Sequence, residues 1–107
     1  MADVVSLATY RTGLRVDGTT LVWHELRHTL EGLDLVDFCR ELDATNDDGR
    51  TRAAAGFRMW ADRRHLWIAG WSMGPMTMRR GDEVRRLGIA LLSGERRRVG
   101  KEGPVTA

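Results

Sequence analysis

The sequence predicts a small α+β domain, with antiparallel β-hairpins and two or three helices packed on the sheet. Three observations carry that prediction. Residues 52–71 alternate along the chain with the period of two that strands impose. The segments on either side repeat apolar residues at spacings of three and four, as amphipathic helices do. The length, 107 residues, allows one modest core and not two.

The elements follow in order. Leu14-Arg15-Val16-Asp17-Gly18-Thr19-Thr20-Leu21 reads as a short hairpin, because Asp-Gly suits a tight turn between alternating apolar positions. From about Thr20 the pattern turns helical: Val22, Leu26, Leu30 and Leu33 line one stripe, and Gly32 stops that helix. Asp34 then caps a second helix, in which Leu35, Phe38, Cys39 and Leu42 repeat the i, i+3, i+4, i+7 pattern. Asn46-Asp47-Asp48-Gly49 reads as a loop.

In the hairpin that follows, a turn at residues 61–64 would pair Trp60 with His65, Arg58 with Trp67 and Ala54 with Trp71, all on one face. The other face, with Ala55, Phe57, Met59, Leu66 and Ile68, is an adequate core side by itself. Gly74-Pro75 breaks the hairpin, and Met76-Thr77-Met78 returns as a short strand. The Met73, Met76 and Met78 cluster is expected to fill gaps in the core and not to bind copper. Asp82 caps a closing helix with Val84, Leu87, Leu91 and Leu92 inward and Arg79, Arg80, Arg85 and Arg86 outside. The expected division is one domain over residues 1–95 and a basic, flexible tail over 96–107.

Composition excludes several classes. No apolar run approaches the ~18 residues of a membrane span. The start, Met1-Ala2-Asp3-Val4-Val5, lacks the basic and apolar regions of a secretory signal, so a cytoplasmic protein is expected. The single Cys39 rules out an internal disulfide, and its place on an apolar stripe marks a small core residue and no nucleophile. Sixteen Arg stand against one Lys, with one Asn, two Ile and no Gln. That bias fits a GC-rich genome, actinobacterial or that of a phage of such a host, better than nucleic-acid binding, since acidic residues nearly balance the basic ones. A helix-turn-helix is rejected because the second helix carries Asp34, Asp37, Glu41 and Asp43 against Arg40, which phosphate would repel. Nor is there a glycine-rich phosphate loop.

Two features point to chemistry. The first is His24-Glu25-Leu26-Arg27-His28, an H-E-x-x-H string. On a helix its imidazoles would sit one turn apart and share a zinc ion, with Glu25 as the base that deprotonates a bound water. Glu31, at i+7 from His24, lies on the same wet face and is a candidate third ligand, as is Asp34. The string, with an acidic residue six places after its second His, resembles the short-spaced zincin metallopeptidases. That resemblance covers about a tenth of the chain. It implies His24, His28 and Asp34 as zinc ligands and Glu25 as general base. It departs from the family at Glu31, where those enzymes place a glycine, and in having only 23 residues ahead of the motif.

The second feature is the aromatic hairpin face of Arg58, Trp60, His65, Trp67 and Trp71. Two apolar faces on one hairpin mean that something covers the second: the last helix, the same hairpin of another copy, or a partner. Trp and Arg together suit protein recognition, and the same indoles can stack on unpaired bases. The expected function is therefore a small cytoplasmic, non-enzymatic binding or accessory module that recognises a protein partner or itself. The alternatives are a minimal zinc hydrolase and single-stranded nucleic-acid binding, and no membrane partner is expected.

Overall fold

The computed structural model describes residues 13–102, with side chains through Arg98. The order of elements is β1 (Leu14–Asp17), β2 (Thr20–Trp23), β3 (Leu26–Thr29), α1 (Gly32–Asp48), β4 (Arg52–Ala54), β5 (Phe57–Ala61), β6 (His65–Gly70), β7 (Met73–Arg79) and α2 (Asp82–Glu102). The strands form two antiparallel meanders, β1-β2-β3 and β4-β5-β6-β7. Among the described residues two helices pack on them, so the α+β class read from the sequence holds.

The first meander replaces an expected helix. Thr20-Leu21-Val22-Trp23 pairs with Leu26-Arg27-His28-Thr29 around a two-residue turn, in which His24 takes a positive φ of 57°. Separations of four, such as Val22 to Leu26 to Leu30, satisfy a period of two as well as one of 3.6, so that stripe could not discriminate. The β-branched and aromatic residues Thr20, Val22, Trp23 and Thr29 favour the strand. The Leu30 N–H donates to the Thr19 carbonyl, and Gly32 opens α1 where a helix end was expected.

Helix α1 is the second expected helix, and it outlasts its expected end. Leu35, Phe38 and Leu42 are buried as the periodicity requires, each worth about 1.5–3 kcal/mol of removed apolar surface. The helix continues through the presumed loop because Gly49 ends it in the left-handed conformation, its N–H donating to the Thr45 carbonyl at 2.8 Å. Asn46 is buried instead of looped out: its amide donates to the Gly81 carbonyl, and its side-chain oxygen accepts the Gly81 N–H. Helix α2 likewise runs through Arg96-Arg97-Arg98 to Glu102, a stretch read from sequence as a flexible tail. Residues 103–107 of that tail, and the N-terminal residues 1–12, lie outside the described residues.

One core unites the layers. Leu14, Val16 and Leu21 from the first meander join Phe57, Met59, Leu66, Ile68, Met76 and Met78 from the second, with Val84, Leu87 and Leu91 from α2. The methionines at 73, 76 and 78 are buried as expected. Leu92 is not; it is 41% exposed. Gly74-Pro75 does not break the sheet, because β7 is an edge strand and a bulge opposite Ala69 absorbs the missing donor. At Gly94 the closing helix crosses the β1–β2 turn so closely that an added Cβ would lie 2.2 Å from the Gly18 carbonyl oxygen.

Arg80 ties the pieces together. Its guanidinium donates to the carbonyls of Asn46 (2.8 Å), Asp47 (2.9 Å) and Asp62 (2.7 Å). Two of those oxygens belong to the last turn of α1, where carbonyls lack helical partners and a cation is favoured.

Candidate functional site

The H-E-x-x-H residues are not brought together as a metal centre. His24 and Glu25 form the exposed β2–β3 turn, and His28 stands on β3 opposite Leu21. Glu31 is the residue before α1, and Asp34 lies in that helix's first turn. A turn followed by a strand destroys the one-turn stacking of i and i+4 on which the zinc reading depended. Among the described residues no three His, Cys, Asp or Glu side chains cluster closely enough to hold a metal ion. The resemblance to zincins fails at its first requirement, a helix beneath the motif.

His28 has a different occupation. Its ring lies flat on the indole of Trp71, centroids 4.6 Å apart and planes 17° apart, and meets Phe57 edge-on at 5.3 Å. Trp71 belongs to the two-residue β6–β7 turn, with φ 55°, and its indole N–H donates to the Ala55 carbonyl at 2.8 Å. It therefore leaves the aromatic face to which the sequence assigned it and pins the first meander to the second.

The rest of that face is assembled, in a register shifted by two. Ala54 leaves it, because a turn at Ala55-Gly56 divides β4 from β5 and pairs Ala54 with Phe57 on the core side; Trp60 pairs with Trp67 and Arg58 with Ala69. The cause is the turn: the Asp62 N–H donates to the His65 carbonyl, while the Asp62 carboxylate accepts the His65 and Arg64 N–H groups at 2.8 Å. Those two N–H donors hold the Asp62 carboxyl below its ordinary range. The tight turn this makes centres on Arg63-Arg64, one residue later than expected.

Cross-strand register places Ala53, Arg58, Trp60, His65, Trp67, Ala69, Thr77 and Arg79 on one side of the four-stranded sheet. The helices occupy the other side, since the α1 and α2 side chains share the core with Phe57, Met59, Leu66 and Ile68. Trp60 and Trp67 are half-buried, with near-parallel rings (14°) at 6.3 Å, and His65 leans on Trp67 at 6.0 Å. Neither indole belongs to the core, and the closing helix does not cover them.

Electrostatically the face has one sign. The Arg58 and Arg79 side chains are exposed and their guanidinium groups form no ion pair among the described residues, although the Arg79 backbone N–H donates to the Glu83 carboxylate at 2.8 Å; the face itself carries no Asp or Glu. The β7 end of this surface, missed by sequence reasoning, follows from the strand of residues 73–79, which the Gly-Pro pair disguised.

Cys39 offers no reactive thiol. It is half-buried between the helices with its Sγ 4.0 Å from the Gly88 carbonyl, and burial pushes its pKa up to about 11. Among the described residues no helix is long and apolar enough to cross a membrane. No protein-family model, curated protein or solved structure matches the chain.

Proposed function

We propose that the protein is a cytoplasmic, non-enzymatic binding or accessory module whose working surface is the open side of the four-stranded sheet. One observation supports this above the others: the Trp60–Trp67 pair stands on the side of the sheet away from both helices. Half-exposed indoles flanked by Arg are the residues that most often dominate protein interfaces. The unpaired Arg58 and Arg79 at the two ends of the pair suit acidic side chains, so the expected partner is an extended protein segment with an apolar or aromatic residue between carboxylates.

Selection of random 12-residue peptides against the wild type and against the Trp60→Ala/Trp67→Ala variant tests the reading. Acid-rich binders that fail on the double variant are expected. Binders that do not distinguish the two proteins would refute it.

The same stacking surface and the same absence of carboxylates favour a second reading, binding of single-stranded nucleic acid. It predicts that oligo-dT binds with an affinity falling steeply as salt rises, and that Trp67→Ala abolishes binding. The peptide reading predicts no comparable oligo-dT binding.

A further inference from the structure

At one end of the aromatic face the chain gathers cations. Arg64 and His65, where the β5–β6 turn closes, and Arg79 and Arg80, where β7 ends, line an open pocket of about 440 Å³ with no carboxylate in its lining. His65 and Arg79 are cross-strand partners, and the His65 ring leans on Trp67 at 6.0 Å. The pocket therefore continues the surface on which the indoles stand.

Its charges are not spent inside the molecule. The Arg64, His65 and Arg79 side chains make no hydrogen bond or ion pair among the described residues, whereas Arg27, Arg40, Arg52, Arg85 and Arg98 each hold a carboxylate. Arg80 differs: carbonyls take three of its five N–H donors, which fixes the guanidinium without neutralising it and leaves two donors over. A cation held in place beforehand gives up little freedom when an anion arrives. The neighbouring acids are engaged elsewhere. Asp62 and Glu83 accept the backbone N–H groups of Arg64, His65 and Arg79, and Asp82 pairs with Arg85. Residues 62–65 and 79–86 hold six Arg against those three acids, and Asp47, whose carbonyl Arg80 grips, makes a fourth. The surroundings stay positive.

We propose that this pocket receives a phosphate monoester carried by the protein segment that lies on the indoles, an inference that rests on the binding role given above to the sheet face. Three guanidinium groups and an imidazole exceed what one carboxylate can engage. A phosphoryl group brings three terminal oxygens and a charge of about −2, and clustered Arg is its usual receptor. A nucleic-acid strand is favoured less, because it spreads one charge per nucleotide and needs cations along its path. Between this pocket and Arg58 the face carries Trp60, Trp67, Ala69 and Thr77 instead.

Titration of the isotope-labelled full chain with inorganic phosphate, followed by NMR at low ionic strength, tests the pocket apart from the indoles. Saturable shifts of the Arg64, His65 and Arg79 amides are expected, with acetate binding at least ~10-fold more weakly. Arg64→Gln/Arg79→Gln changes two exposed side chains and is expected to abolish the response with unchanged circular dichroism. Random peptides with one fixed phosphoserine are expected to bind at least ~10-fold tighter than their glutamate counterparts, and to lose that advantage on the same double variant. A wild type that ignores phosphate, a response indifferent to Arg64→Gln/Arg79→Gln, or oligo-dT that outcompetes the phosphopeptides would overturn the proposal. Peptides that need the indoles but show no preference for phosphoserine would overturn it while sparing the sheet-face reading. Phosphopeptides that need the two Arg yet ignore Trp60→Ala/Trp67→Ala would support the phosphate pocket and sink the sheet-face reading.

Discussion

The imidazole of His28 lies against the indole of Trp71 at 4.6 Å, and through this pair β3 of the first meander is fastened to the β6–β7 turn of the second. The second histidine of the H-E-x-x-H string thus works in packing, while the first, His24, shapes a turn.

That division predicts unequal costs. His28→Ala removes a stacked partner of Trp71 and an edge contact to Phe57, and should lower stability by about 1–2 kcal/mol. His24→Asn keeps a residue that tolerates positive φ in an exposed turn and should change stability by less than about 0.5 kcal/mol. Urea denaturation of the two variants measures the difference. Equal losses would contradict the assigned roles, and a zinc-dependent rise in wild-type stability would reinstate a metal role for the pair.

Gly94→Ala reverses an ordinary rule. Inside a helix, Gly to Ala normally stabilises by up to about 1 kcal/mol. Here the new methyl would fall 2.2 Å from the Gly18 carbonyl oxygen and 2.5 Å from its carbon, both rigid backbone. Destabilisation of about 2 kcal/mol or more is expected, as α2 is forced off the β1–β2 turn. Gly88→Ala in the same helix meets nothing within 4 Å and should stabilise. Thermal unfolding of the two variants gives the signs, and a stabilised Gly94→Ala would mean that the helix does not cross the turn this closely.

Acid sensitivity should be traceable to Asp48. Its carboxylate accepts two hydrogen bonds from the Arg52 guanidinium (2.7 and 2.8 Å) and one from the Arg50 N–H, and these hold its pKa well below the usual carboxylate range. A depressed folded-state pKa means stabilisation present above the unfolded value of about 4 and lost as pH falls through the folded one. Asp48→Asn should therefore flatten the decline in stability below about pH 4 and leave the neutral-to-alkaline profile unaltered in shape. Urea midpoints between pH 2 and pH 7 provide the check. An unchanged acid slope would exclude Asp48 as the group responsible.

What could be read from the chain beforehand depended on whether a pattern had one physical meaning. The alternation through residues 57–61 and 65–70 admits only strands, so the β5–β6 hairpin and its two faces were legible, whereas the turn at Ala55-Gly56 that separates β4 reads through as strand. The stripe of Leu35, Phe38 and Leu42 was legible for the same reason. Val22, Leu26 and Leu30 satisfied both periods, and the helical choice brought the zinc motif with it. Register was hidden because it was set by Asp62 hydrogen-bonding the next residues' N–H groups, a three-residue event that shifts the β5–β6 pairs by two without changing the faces of Arg58, Trp60, His65 and Trp67. Hence Trp60, Trp67, Arg58 and His65 were placed on the right side of the sheet while Trp71 and Ala54 were not. The role of Arg80 could not be anticipated, since its three carbonyl partners are contributed by segments 18 to 34 residues away.

That last contact makes Arg80 a rivet through three separate stretches of chain. The end of α1, the tip of the β5–β6 hairpin and the entrance to α2 are clamped by one planar group. Amide protons near these sites should exchange as a single opening unit and not piecemeal. Any substitution that loosens the far end of α1 would accordingly be felt at the hairpin tip beside His65, through the Arg80 guanidinium as well as through the shared core.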